Sequence, residues 1–448
     1  MRRFLFFMGV LVWVALASCT GGDTAFPVAT GKGTVRAVNT IKTSPGITFL
    51  IEERLIGAVN YKSSTTAQQY DDLEYIFNFE VLFPGDSGLQ RIASQFLDVV
   101  KDKEYTLIIG GTLADPSIAV WEGDIRIWSG TETVFEARFG HTSASLGSID
   151  VYFAAPGIVP ATGQEIGTLV FGEVLPVADY PGGDYVLIYT MAGDPATILF
   201  TSEVMTLAVQ SSFTISMFDA DANEVAPMSV RLFSASGSSQ VVFQASVAST
   251  LRFFHTSMAL ATADIYGDEA VTTLLASDHA FGDVTGDIPV VSGANLITYT
   301  TAGDTGVILF EDEVILFPGA HYQFYVVGET DALVAISIVP DRRSVETRAK
   351  FSFLNAATNH GSINVYVVLA DTDITDQLPI IAALTVGNAP VSVNLQSDSF
   401  DLYLTPAGEQ TIITGPVRFD PALGDIVDVI VLDAIDPSSA DIIFIPPP

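Results

Sequence analysis

The sixteen residues RFGHTSASLGSIDVYF, beginning at Arg138, return as RFFHTSMALATADIYG from Arg252. Fainter relatives stand at VRAVNTIKTSPGITFLI from Val35 and KFSFLNAATNHGSINVYV from Lys350. Anchored at Arg36, Arg138, Arg252 and Lys350, the copies lie roughly 100 residues apart, a whole domain's length rather than the 20 to 50 of a solenoid repeat. Two more landmarks recur in order. TMAGDPATILF from Thr190, TTAGDTGVILF from Thr300 and TPAGEQTIIT from Thr405 form one, with FPGDSG from Phe83 as the first copy's counterpart. EYTLIIGG, SFTISMFD, HYQFYVVG and DIVDVIVLD form the other. A chain that repeats three landmarks in this way must fold as four versions of one unit.

That unit is built from strands. In SIDVYF, Ile149, Val151 and Phe153 point one way and Asp150 and Tyr152 the other, the period-two alternation of a half-buried strand. Val, Ile, Phe, Tyr and Thr fill such runs, and Gly, Pro, Asp and Asn interrupt them, which indicates sandwiches or barrels. One short helical turn is expected, at LQRIASQFLDVV, Leu89 to Val100. Gly193, Gly303 and Gly408 sit between apolar runs, where a tight hairpin requires positive φ. The expected domains are 33–133 (the most divergent), 134–247, 248–346 and 347–448. WSGTETVFEA, SASGSSQ and PDRRSVETRA read as short linkers or edge loops, and the expected shape is a rod of separate beads.

The N-terminus reads as an export signal over residues 1–18: Arg2 and Arg3, then the apolar run Phe4 to Ala17, too short for a bilayer span of roughly 20 residues. LASC, Leu16 to Cys19, resembles the bacterial lipobox, which implies cleavage before Cys19 and acylation of its thiol. Residues 19–32 are then a lipidated linker. Thr20 favours the outer membrane over the inner one. Cys19 is the only cysteine, so no internal disulfide holds the folds. A net charge of −33 argues against nucleic acid, whose affinity comes from Lys and Arg on phosphates.

A strand ending in His or Asn, a short loop, DVY or a variant of it, and later PAG before another strand resemble the bacterial family known only as domain of unknown function 4397. RFFHTS…ADIY, FLNAATNHGSINVY and LTPAGEQ carry the likeness. It implies an all-β protein of four tandem immunoglobulin-like or similar antiparallel β-sandwiches, often exported, with no activity to carry over.

The copies themselves bear on chemistry. His141 and Asp150 recur as His255 and Asp264, a pattern that could serve a catalytic dyad. The fourth copy has Asn355 and Asn364 there, and the first has Asn39 and Thr48. General-base catalysis does not survive His to Asn, whereas closing a turn by hydrogen bonds does. These residues are therefore read as structural turn positions. DADANE and DTDITD place Asp219, Asp221 and Asn223, and Asp371, Asp373 and Asp376, at spacings that suit calcium, but neither completes the EF-hand pattern. They are weak calcium candidates, and no other cofactor is expected. His279, His321 and His360 lack zinc spacing. Trp121 and Trp128 are the one candidate sugar platform. The expectation is a noncatalytic envelope lipoprotein, a spacer or interaction module held by lipid at Cys19, with an envelope protein or glycan as its class of partner. The alternatives are a carbohydrate-binding or calcium-dependent adhesin and, last, an enzyme with an unrecognised loop site.

Overall fold

The computed structural model describes residues 27–245 and 247–448. The stretch read as an export signal and Cys19 lie outside them. Eight sheets pair into four sandwiches, each with the same wiring. Numbered by order of appearance, strands 4-1-7-8 form one sheet and 3-2-5-6 the other. The first and seventh strands run parallel in every copy: Lys32–Asn39 beside Lys103–Gly111, Val134–His141 beside Ser212–Asp219, Ser249–His255 beside His321–Val327, and Ala349–Asn355 beside Ile426–Asp433. All other pairings of named strands are antiparallel. Two four-stranded sheets differ from the seven-stranded constant-type immunoglobulin arrangement, so these are sandwiches of a similar kind with their own strand order. The second sandwich adds two short strands, Met205–Leu207 and Ser239–Val242.

Each core fills the space between its two sheets. In the second, Phe135, Phe139, Val151, Phe153, Tyr189 and Ile215 interdigitate, with Phe153 stacked on Tyr185 at 4.6 Å. The alternation read in SIDVYF places Ile149 and Val151 in this core, while Asp150 and Tyr152 take the other face.

Three expectations are corrected. Gln90–Asp98 is a strand, not a helical turn; it pairs with Glu74–Val81, and cross-strand hydrogen bonding overrides the weak local pattern. The one helical segment among the described residues is a single 3₁₀ turn, Thr358–His360. Of its two readings SASGSSQ loses the linker and keeps the edge loop, because Ser239–Val242 folds back on Met228–Ser234 and makes it a hairpin turn.

The third correction concerns shape. The 4-1-7-8 sheets of sandwiches 1 and 2 pack back to back, burying Val38, Tyr61, Ile108 and Trp121 against Phe218 and Phe233. Sandwiches 3 and 4 do the same through Phe254, Tyr325, Val327 and Ile336 against Leu354, Ile430, Leu432 and Ile445. The first strand of sandwich 3 is consequently buried at every residue, the signature of a strand covered on both faces. The segment joining sandwiches 3 and 4 docks on sandwich 1: the Arg343 guanidinium donates to the carbonyls of Lys42 and Ser44 at 3.0 and 2.7 Å. Two back-to-back pairs replace the rod, because outward apolar side chains on the first, seventh and eighth strands need a cover.

Candidate functional site

The repeated polar residues sit where the first strand leaves its sheet. His141 is fully buried, and its Nε2 meets the Gly147 carbonyl at 3.0 Å; His255 meets Ala261 in the same way at 3.3 Å. Asn355 donates to the carbonyls of Gly361 and Leu384 and accepts from the Ala357 amide. Asn39 donates to Ser44 Oγ and the Val59 carbonyl and accepts from the Ile41 amide. In each copy the side chain braces the loop that leads to the second strand. Burial pushes both imidazoles below their ordinary pKa, keeping them neutral.

The second-strand residues brace a different turn. Asp150 accepts the Gly193 amide at 2.7 Å and the Thr168 hydroxyl. Asp264 accepts the Gly303 amide at 2.9 Å and the Asp278 amide at 2.9 Å. Gly193, Gly303 and Gly408 all turn between the fifth and sixth strands at φ of 76°, 76° and 82°. Asn364, which can donate as well as accept, instead bonds the Pro406 carbonyl and the Ala383 amide. The carboxylate and the AGD glycine are thus two halves of one bracket. His141 and Asp150 share no hydrogen bond, and neither do His255 and Asp264. Asp150→Ala is expected to cost about 1.5–3 kcal/mol, the worth of hydrogen bonds to a charged acceptor. Asp150→Asn should cost less, and urea melts of both variants check this.

The acidic loops are occupied by other work. Asp219 accepts the amides of Ala144 and Ser145 and the hydroxyls of Ser143 and Ser145. Asp221 pairs with Lys62 Nζ at 3.2 Å, and Glu224 with the same nitrogen at 2.6 Å. Asn223 accepts the Arg342 amide and donates to Asp341. Asp371 pairs with Arg418, Asp373 caps Thr375, and Asp376 is exposed. Among the described residues no three ligating side chains converge as a metal site.

Trp121 is no sugar platform. It is 3% exposed, its Nε1 donates to the Gly172 carbonyl at 2.8 Å, and its ring rests on Gly140, where a Cβ would fall 2.2 Å away. Trp128 lies apart from that interface, under the Arg126 guanidinium at 3.9 Å.

The residues that sequence reasoning used only as anchors have a role of their own. Arg36 in sandwich 1 donates to Thr106 of its own sheet and to Thr214 of sandwich 2, both at 3.0 Å. Arg138 in sandwich 2 donates to Thr214 of its own sheet at 3.1 Å and to Thr106 of sandwich 1 at 3.4 Å. The two guanidiniums exchange partners across the seam, and Glu104 lies 2.9 Å from Arg138. Their signal in the sequence is an arginine amid apolar strand residues at the same place in two copies. Arg252 occupies that place in sandwich 3 and donates to the Pro446 carbonyl of sandwich 4 at 3.0 Å. In sandwich 4 the anchor slides. Ser352, three residues before Asn355 as Arg252 is before His255, stands in the arginine's place, opposite Asp428 in the ladder. Lys350 is on the same face, one pleat earlier.

Among solved structures, "The Bacillus anthracis TIE protein" is similar at 10% identity and a TM-score of 0.16, covering 90% of this chain and 69% of that one. No curated protein matches. The matched family model begins with the first strand of sandwich 3 and ends in the second strand of sandwich 4. Residues 249–366 match the model of the family described as "Domain of unknown function (DUF4397)".

Proposed function

We propose that this chain is a noncatalytic lipoprotein of the bacterial envelope, held by a lipid on Cys19, whose paired sandwiches form a stiff spacer or interaction module. One observation carries the reading: the polar residues common to the copies hydrogen-bond the backbone of their own turns, so what repeats is architecture. Loops that differ between copies are then the surfaces for an envelope partner, as in other scaffolds where a rigid frame presents variable loops. The surface charge suits a module that stays dispersed, since like-charged molecules repel.

The anchor is tested by Cys19→Ala. The variant is expected to lose incorporation of a labelled fatty acid completely and to leave the membrane fraction. Equal labelling of wild type and variant would overturn the anchor.

A further inference from the structure

At the anchor positions the seam between paired sandwiches is filled in one pair and hollow in the other. Around Arg36 and Arg138, between sandwiches 1 and 2, it leaves a cavity of only about 10 Å³, although a separate cavity of about 560 Å³ lies farther along that seam beside Lys103, Glu122 and Arg126. Between sandwiches 3 and 4 the corresponding region holds about 450 Å³, within the range of small-molecule sites. Ser352 in place of an arginine accounts for the difference, because the long side chain that would fill the seam is missing from one wall.

Cations gather around this space although the whole chain carries −33. Arg342, Arg348 and Lys350 line it. Arg252 and Arg343 add to the local field, Arg252 beside Asp428 and Arg343 beside Arg348 and Lys350. Three carboxylates oppose these five cations. Asp287 takes the two terminal nitrogens of Arg342 at 2.5 and 2.9 Å. Asp341 takes Lys350 at 2.5 Å. Asp428 accepts from Gln323, and burial raises its carboxyl above the ordinary range. Arg348 is left without an ion pair among the described residues, and its Nε is buried with no partner. Arg342, 5% exposed, also has a buried Nε without a partner. Buried donors of this kind cost free energy until an acceptor reaches them.

Neutral polar side chains line the cavity as well. Ser352, Ser392 and Asn394, on the sheet that also carries Lys350 and Asp428, make no side-chain hydrogen bonds among the described residues. A guanidinium without an ion pair, together with these hydroxyls and amide, matches a ligand that has an oxyanion at one end and hydroxyls along its body.

We propose that this cavity binds a small hydroxylated anion, a sugar acid or sugar phosphate, with Arg348 as the oxyanion contact and the Ser352, Ser392 and Asn394 wall receiving the hydroxyls. The site does not depend on lipid anchoring.

Isothermal titration of the full mature chain with glucuronate, glucose 6-phosphate, glucose and inorganic phosphate tests this. Both anionic sugars are expected to bind saturably and glucose not at all. Arg348→Gln is expected to weaken binding about 10- to 100-fold, the worth of a charge-assisted hydrogen bond, with an unchanged melting temperature because Arg348 supports no ion pair. Ser352→Arg, which refills the seam, should abolish binding. The proposal fails if neither anionic sugar binds, if Arg348→Gln binds as wild type does, or if inorganic phosphate binds and the sugars do not.

Discussion

Gly140→Val is expected to separate sandwiches 1 and 2. A Cβ at Gly140 would lie 2.2 Å from the Trp121 ring, so the indole must leave a site bounded by Phe218, Phe233, Val38 and Ile108. Overpacking alone costs about 1–3 kcal/mol, and losing a buried tryptophan's contacts costs about 3–5 kcal/mol. A loss of about 3–5 kcal/mol is therefore expected, with an increased radius of gyration by small-angle scattering and a tryptophan emission shifted to the red. Gly140→Ala should be milder but in the same direction. A Gly140→Val protein with wild-type stability and dimensions would show that the seam is not what Trp121 holds.

The second large effect is a loss of stability in mild acid, centred on sandwich 3. His279 is 5% exposed, its ring centroid is 5.8 Å from that of His255, and neither of its nitrogens has a partner among the described residues. Burial first and the neighbouring His255 second push its pKa down to about 4 from 6.5, with Asp283 opposing. The unfolded chain takes up the proton near pH 6.5 and the folded chain only near 4. Stability from this residue is thus complete above pH 6.5, falls as pH drops from 6.5 to 4, and is level below that. The full loss is roughly 3 kcal/mol at about 1.36 kcal/mol per pKa unit. His141 and His255, lowered by burial as well, act in the same direction. His279→Leu removes its share, so urea midpoints for wild type minus variant should rise with pH between 4 and 6.5. A flat difference would refute the assignment. Carboxylates titrating across the molecule cancel in that subtraction.

What could be read from the sequence was local. The phase of SIDVYF, the positive-φ glycine of the AGD turns and the place of the His or Asn before a loop all depend on residues within a few positions of each other, where steric and hydrogen-bonding rules act directly. The bracket between Asp150 and Gly193 was visible only as two separate landmarks, because they stand 43 positions apart. The pairing of sandwiches was hidden more thoroughly. Outward apolar residues such as Val38, Ile108 and Phe254 alternate with inward ones of the same kind, so a strand covered on both faces lacks the period that would announce its second cover. The aligned arginines carried the clue, and the two-residue slide at Lys350 obscured it. Arg36 and Arg138 bond each other's sheets from positions that only the tertiary fold makes neighbours. Lys62 is another such case: in a left-handed conformation at φ 62°, it reaches Asp221 and Glu224 of the next sandwich. An acidic loop that resembles a calcium site in isolation is there the counter-charge for a buried lysine.

The parallel contact between first and seventh strands also orders events in time. Arg36 meets Thr106 across 70 residues of chain, and Arg138 meets Thr214 across 76. During synthesis the opening strand of each sandwich can meet the fourth strand early, but its other edge must wait unpaired until nearly the whole unit has emerged. Contacts of such long sequence separation form slowly, and unpaired strand edges are the hazard of that interval. Each sandwich closes from its C-terminal side, and its outward seam becomes available to the next one only after that closure.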